Sequence, residues 1–175
     1  FLVFFFSITI TKGQVLNIED FGAISGTGIL NTTYIQAAID SAESLGGGTV
    51  LIPKGAFLSS TIFLKDNVTL EIAEGGILKG ASKTNQYPDV KTTTIRSFGD
   101  TYPQRSLIFA EGKRNITLKG QGMIDGNGLS IDFLVNSDDK PFGIRFISCT
   151  DVLYEGLTLK NSGFWMMHNL NCDSV

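Results

Sequence analysis

The sequence predicts an all-β protein, a solenoid of stacked parallel coils closed at its N-terminal end by a helix. Three observations carry this. Cys149-Thr150-Asp151-Val152 returns 23 residues later as Cys172-Asp173-Ser174-Val175. From Thr49 onward, short β-branched and aromatic runs alternate with turns, and the chain has Gly 20 against Pro 4. One amphipathic segment precedes those runs. A fixed step of about 20–25 residues with alternating apolar positions marks coils that bury their inward faces only by stacking. The second copy begins as the chain reaches Val175, so a longer parent with further coils is expected.

Taken in order, Phe1 to Ile10 is an apolar run too short to span a bilayer. It reads as the core of a secretory leader covering 1–14, cut near Gly13 or Gln14, with its own start missing. A buried first strand is the competing reading. Val15-Leu16-Asn17-Ile18 follows as a short strand. A helix is predicted from Thr33 to Leu45, because Ile35, Ala38, Ile39 and Ala42 share one face. Thr33 and Gln36 are spaced as a capping box, and Gly46-Gly47-Gly48 ends the helix. Such a helix shields the unpaired strand groups at a solenoid's end. Residues 15–48 therefore form the entry and cap, and 49–175 the coils.

Within the coils a polar residue followed by a β-branched one recurs, as Asn67-Val68-Thr69-Leu70, Asn115-Ile116-Thr117-Leu118 and Asp151-Val152-Leu153-Tyr154. The steps are 48, 36 and then 23 residues. A coil of about 24 residues makes the first step two coils and the second one coil plus a loop at Leu129 to Pro141. The 48-residue step also fits a single coil carrying a long insertion at Ala81 to Gln104. Function is expected on the outward face of one sheet, flanked by these loops.

Composition narrows the classes. The chain is 42% hydrophobic and 18% charged, ordinary for one soluble domain. A net charge of −3 argues against nucleic acid as partner, which calls for a basic excess. Cys149 and Cys172 would stack on successive coils about 4.8 Å apart, within disulfide range. An interior ladder of two reduced thiols is the preferred reading. With one His and two Cys, no metal site is expected.

These motifs resemble the N-terminal part of glycoside hydrolase family 28, the polygalacturonase-like enzymes. Asp20-Phe21-Gly22-Ala23 with Tyr34-Ile35-Gln36-Ala37-Ala38-Ile39-Asp40 is similar to the entry motif and cap of pectin-active right-handed parallel β-helices. Gly46 to Gly55 continues that likeness, and Gly120 to Gly128 resembles one of their coils. Asn161-Ser162-Gly163-Phe164-Trp165-Met166-Met167-His168 is similar to the narrower Asn-Ser-Pro-x-Trp-x-x-His segment. Three departures stand out: Ser25-Gly26-Thr27-Gly28 replaces an Asp-Gly turn, Leu129 to Phe133 lacks tryptophan, and Lys140-Pro141 replaces Arg-Pro. The resemblance implies a secreted or periplasmic, cofactor-free hydrolase acting on pectic polysaccharide of the galacturonan or rhamnogalacturonan type. The expected protein is monomeric, with no membrane partner. It also implies that the catalytic aspartates follow the Trp-x-x-His coil, so this stretch alone is expected to be inactive. A Ca²⁺-dependent β-helix pectate lyase and a non-catalytic polysaccharide-binding β-helix are the rival readings.

Among candidate site residues, Trp165 suits stacking on a sugar's C–H face, and His168 can hydrogen-bond hydroxyls or a uronate carboxylate. Their spacing of three puts them on opposite faces of a regular strand unless a bend intervenes. Arg145, between Ile144 and Phe146, is expected to point outward and suits bidentate carboxylate binding. A surface ion pair is its competing role. Inverting hydrolysis needs carboxyls roughly 6.5–9.5 Å apart. Asp138-Asp139 superficially offers a pair but reads as a solvated turn, and Asp125 reads as a turn-stabilising group. Asn31, Asn67 and Asn115 begin N-glycosylation sequons, though the last two also fill the repeated turn.

Overall fold

The computed structural model describes residues 13–26, 28–94, 104–135 and 139–175. The leader reading falls almost wholly outside these residues. Strand β1 (Val15–Asn17) and a 3-10 turn lead to helix α1 (Thr32–Ser44). Coils follow, each of three strands: β2 (Gly48–Ile52), β3 (Gly55–Ser59) and β4 (Ile62–Phe63); then β5 (Val68–Ile72), β6 (Gly76–Gly80) and β7 (Ser106–Glu111). The next are β8 (Arg114–Gly120), β9 (Met123–Asp125) and β10 (Phe142–Ile147), then β11 (Thr150–Glu155), β12 (Thr158–Lys160) and β13 (Met167–Leu170). A short helix, α2 (Ile131–Val135), lies between β9 and β10.

Like strands stack on like. The first sheet runs β1-β2-β5-β8-β11, the second β3-β6-β9-β12 and the third β4-β7-β10-β13, each pair parallel. Register stacks apolar side chains into columns inside: Val50, Leu70 and Leu118 on the first sheet, and Ile62, Ile108 and Ile144 on the third. All six are fully buried. Each such side chain contributes about 1.5–3 kcal/mol relative to exposure. The molecule is a right-handed parallel β-helix with an N-terminal cap.

The recurring Asn/Asp motif is the corner between the third and first sheets. Asn67, Asn115, Asp151 and Ser174 all hold left-handed backbone there, with φ of 60°, 53°, 54° and 55°. Asn and Asp tolerate this region better than other side-chain-bearing residues. Asn115 Nδ2 donates to Asn67 Oδ1 at 2.9 Å across a separation of 48 residues, so the two corners are neighbours. The 48-residue step is therefore one coil with an insertion at 81–104, which corrects the two-coil count. An earlier coil lacks the motif because Gly47, with φ of 132°, takes its corner. A Cβ on Gly47 would lie 2.7 Å from the Asn67 carbonyl oxygen. Both insertions leave the helix at the corner between the second and third sheets.

The cap buries Ile35, Ala38, Ile39 and Ala42 as expected. Its start differs. Asn31 is the N-cap, and its side chain makes no cap bond. Asn31 Oδ1 instead accepts from Ile24 N at 2.7 Å, and Nδ2 donates to Ile24 O and Ile29 O, pinning the preceding loop. Thr33 lies inside the helix, so the Thr33–Gln36 capping box does not form. Gln36 bonds β4 instead: Nε2 donates to Phe63 O at 3.1 Å, and Oε1 accepts from Phe63 N at 2.8 Å. Cys149 is buried and Cys172 partly so, and both are free thiols.

Candidate functional site

The third sheet carries the candidate residues Arg145 and His168. Ile62, Ile108 and Ile144 point into the core, so by alternation Phe63, Phe109, Arg145 and His168, in register beside one another, point outward. Phe63 and Phe109 meet edge to face, with ring centroids 5.9 Å apart. The row thus changes along the helix axis from aromatic rings to a guanidinium and then an imidazole.

Arg145 points outward as predicted but is 0% exposed, which corrects its expected place on an open surface. Its Nη1 donates to Gln104 Oε1 at 2.9 Å, and its guanidinium lies 5.4 Å from the Phe142 ring centroid. A buried cation is tolerated only when hydrogen-bonded, and the amide oxygen supplies that. Alternation along a strand gives a direction; it does not reveal a covering loop. Here the described part of the 81–104 insertion supplies cover, with Gln104 bonded to the guanidinium. It leaves before β7 starts, and its Thr93 and Thr94 reach Glu111 at the far end of β7, so it crosses that strand's outward face.

The carboxylate of Glu111 holds the strap. Its Oε1 accepts from Thr93 N at 2.6 Å, Thr94 N at 2.7 Å, Thr94 Oγ1 at 2.9 Å and Thr93 Oγ1 at 3.2 Å. Partial burial pushes the carboxyl up, but these donors together outweigh it and hold Glu111 below its ordinary value. Asp132 ties the second insertion to the first, accepting from Thr84 N at 2.8 Å and Thr84 Oγ1 at 3.0 Å.

Trp165 precedes β13 rather than lying in it. A turn closed by Ser162 Oγ donating to Trp165 O at 3.1 Å supplies the bend that a spacing of three requires. Both candidate side chains consequently gather on Phe142. His168 stacks on that ring at 5.0 Å and 15°, and Trp165 meets it edge-on at 6.1 Å and 82°. Trp165 also stacks on Phe164 at 5.4 Å and contacts His168 at 5.6 Å. Trp165 remains 48% exposed, a flat apolar surface held in a fixed orientation. Phe142, the hub, was not singled out in the sequence. A signal existed: it precedes Trp165 by the same step that separates Arg145 from His168.

The other candidates serve the scaffold. Asp125 Oδ1 accepts from Asn127 N at 2.9 Å and Asn161 Nδ2 at 3.1 Å, a turn role as predicted. Asp139 pairs with Arg105 Nε at 3.0 Å, and Asp138 lies outside the described residues. Asn31 is 1% exposed, which seals its sequon. An open groove of about 480 Å³, lined by Glu71, Lys119, Gln121 and Glu155 among others, lies on the first sheet, away from these rings. Among the described residues no group of three or more His, Cys, Asp or Glu is placed to hold a metal ion.

The fold is like that of polygalacturonase-like parallel β-helices, a family 28 exopolygalacturonase among them. The chain superposes on the family 28 exopolygalacturonase of Yersinia enterocolitica with a TM-score of 0.79 and 26% identity, covering 92% of this chain and 37% of that one. It is 34% identical over 123 residues to an exo-poly-α-D-galacturonosidase of Dickeya chrysanthemi, covering 66% of this chain and 20% of that protein. It is 36% identical over 125 residues to the mannuronan C5-epimerase AlgE4 of Azotobacter vinelandii, covering 63% of this chain and 21% of that protein. The chain thus spans about a fifth of the length of these curated relatives. No family model matches it.

Proposed function

We propose that this chain forms the opening coils of a secreted, pectin-degrading glycoside hydrolase that hydrolyses galacturonan-type polysaccharide. The observation that carries the reading is the exposed Trp165 ring, braced against Phe142, Phe164 and His168 on the outward face of the third sheet. Such a face stacks on a sugar ring, while His168 offers a polar partner for its hydroxyls or carboxylate. Arg145, beneath the strap, orients Phe142 rather than touching polymer. The names of both relatives point to uronate polymers as substrates. Acid and base carboxyls are not assigned to the residues described here. In the inverting reaction they would belong to further coils of the same sheet, without a cofactor.

The strap bears on mode of action. Phe109 is 4% and Arg145 0% exposed, so a polymer cannot continue along the outward row past His168. This supports attack at a chain end, in keeping with the exo-acting names of the Dickeya and Yersinia proteins.

The chain has a single tryptophan, so its fluorescence reports Trp165 alone. Titration with trigalacturonate is expected to quench that emission, and a neutral galactan fragment of equal length to do so weakly. Equal response to both, or none to either, would overturn the reading.

A further inference from the structure

A second hollow lies on the other side of the strap, at the edge of the third sheet nearest the cap. It encloses about 260 Å³ and is lined by Phe63, Leu64, Lys65, Phe109, Ala110, Glu111 and Lys113. The floor is apolar, with Leu64 and Ala110 buried and the Phe63–Phe109 pair forming one wall. The volume falls just below the roughly 300 Å³ at which drug-sized sites begin, and suits a single sugar unit.

Its polar groups sit at the rim and are not equivalent. The ammonium of Lys65 is already held by Glu43 at 2.9 Å and Asp40 at 3.7 Å, which fixes that wall to α1. All four donors on Glu111 use Oε1, so among the described residues its Oε2 is left to accept a hydroxyl. Lys113 is partly exposed, and among the described residues its ammonium has no hydrogen-bond or ion-pair partner. An aromatic wall, one hydroxyl acceptor and one uncommitted cation are therefore gathered around a space of one pyranose ring.

We infer that this hollow is an accessory carbohydrate site taking one uronate unit, its C–H face on Phe63, which the buried Phe109 ring backs, its carboxylate on Lys113 and a hydroxyl on Glu111. The sugar's identity rests on the pectic reading above. The site is separate from the Trp165 cluster, because the strap over Arg145 stands between them. It takes a chain end or a second chain and performs no chemistry.

Isothermal titration of the 175-residue chain with trigalacturonate tests this, using the wild type, Trp165→Ala, Lys113→Ala and Lys113→Glu. Two classes of site are expected, one lost in the Trp165 variant. The other should weaken at least tenfold in Lys113→Ala, vanish in Lys113→Glu and fade with added salt. Circular dichroism would confirm that the lysine variants, altered only at the rim, remain folded. Unchanged binding in both lysine variants, with loss only in Trp165→Ala, overturns the accessory site and leaves the pectic reading intact. Binding lost in the lysine variants but retained in Trp165→Ala supports the site and sinks the role of the Trp165 platform. A galactose oligomer that fills the hollow as tightly as the uronate would also overturn it.

Discussion

Gln36 and Phe63 are joined by two hydrogen bonds in which a helix side chain does what a neighbouring strand would do. β4 is the edge of the third sheet, and the Gln36 amide satisfies both the N–H and the C=O of Phe63 on its open side. Exposed strand edges recruit other chains, and this one is blocked by a single side chain. Replacing it with leucine leaves two backbone groups without partners in a place with little water. Gln36→Leu should cost about 1–3 kcal/mol. Chemical denaturation measures that loss, and light scattering should show faster association; an unchanged midpoint would remove the strand-mimic role.

Asn115 tests the corner. With φ of 53°, it occupies a region where a β-branched side chain costs ~1–2 kcal/mol. Asn115→Val should lower stability by about that amount, while Asn115→Gly should lose only the bond to Asn67. Equal effects from the two would mean that the side-chain ladder, not the backbone conformation, matters at this corner.

Glu111 makes stability depend on pH. Its folded-state carboxyl is held below the ordinary value, so ionisation favours the folded state. The contribution is fully present above the unfolded-state value and is lost as pH falls through the lower, folded one. Unfolding midpoints of the wild type should drop across that acidic window. Glu111→Gln should be less stable at neutral pH and flatter below it; parallel pH profiles would refute this.

Arg145 is a buried cation between an amide and a ring. Arg145→Lys keeps the charge but loses the planar group that covers Phe142. It should cost about 1–3 kcal/mol, the penalty of an imperfectly satisfied buried polar group. Trp165 emission should also shift as the Phe142 ring loosens. Emission identical to the wild type would show that Arg145 does not brace the cluster.

Much of the fold was legible in the sequence because coils repeat their corners. The polar-then-β-branched motif recurs at Asn67, Asn115 and Asp151 because left-handed backbone restricts what can stand there, and the cap's buried face has strict helical spacing. Coil number was harder: 48 residues divide into two coils as readily as into one coil with a strap, and the Asn67–Asn115 contact and the pairing of β5 with β8 separate the two. At the site, Trp165 and His168 were visible as residue types in a familiar spacing. Their convergence on Phe142 was not, since it depends on a turn at Ser162. The burial of Arg145 was hidden for a related reason: its cover comes from residues some forty positions earlier, and no local period records it.

Both insertions leave the helix between the second and third sheets, while the other two corners stay short. Described residues of the first insertion reach the third sheet from there, as Thr93 and Thr94 do at Glu111. The Asn ladder and the stacked isoleucines are untouched by such additions. A chain of this design can therefore change what reaches its row of outward side chains by lengthening or trimming one corner, with the register of the frame held constant.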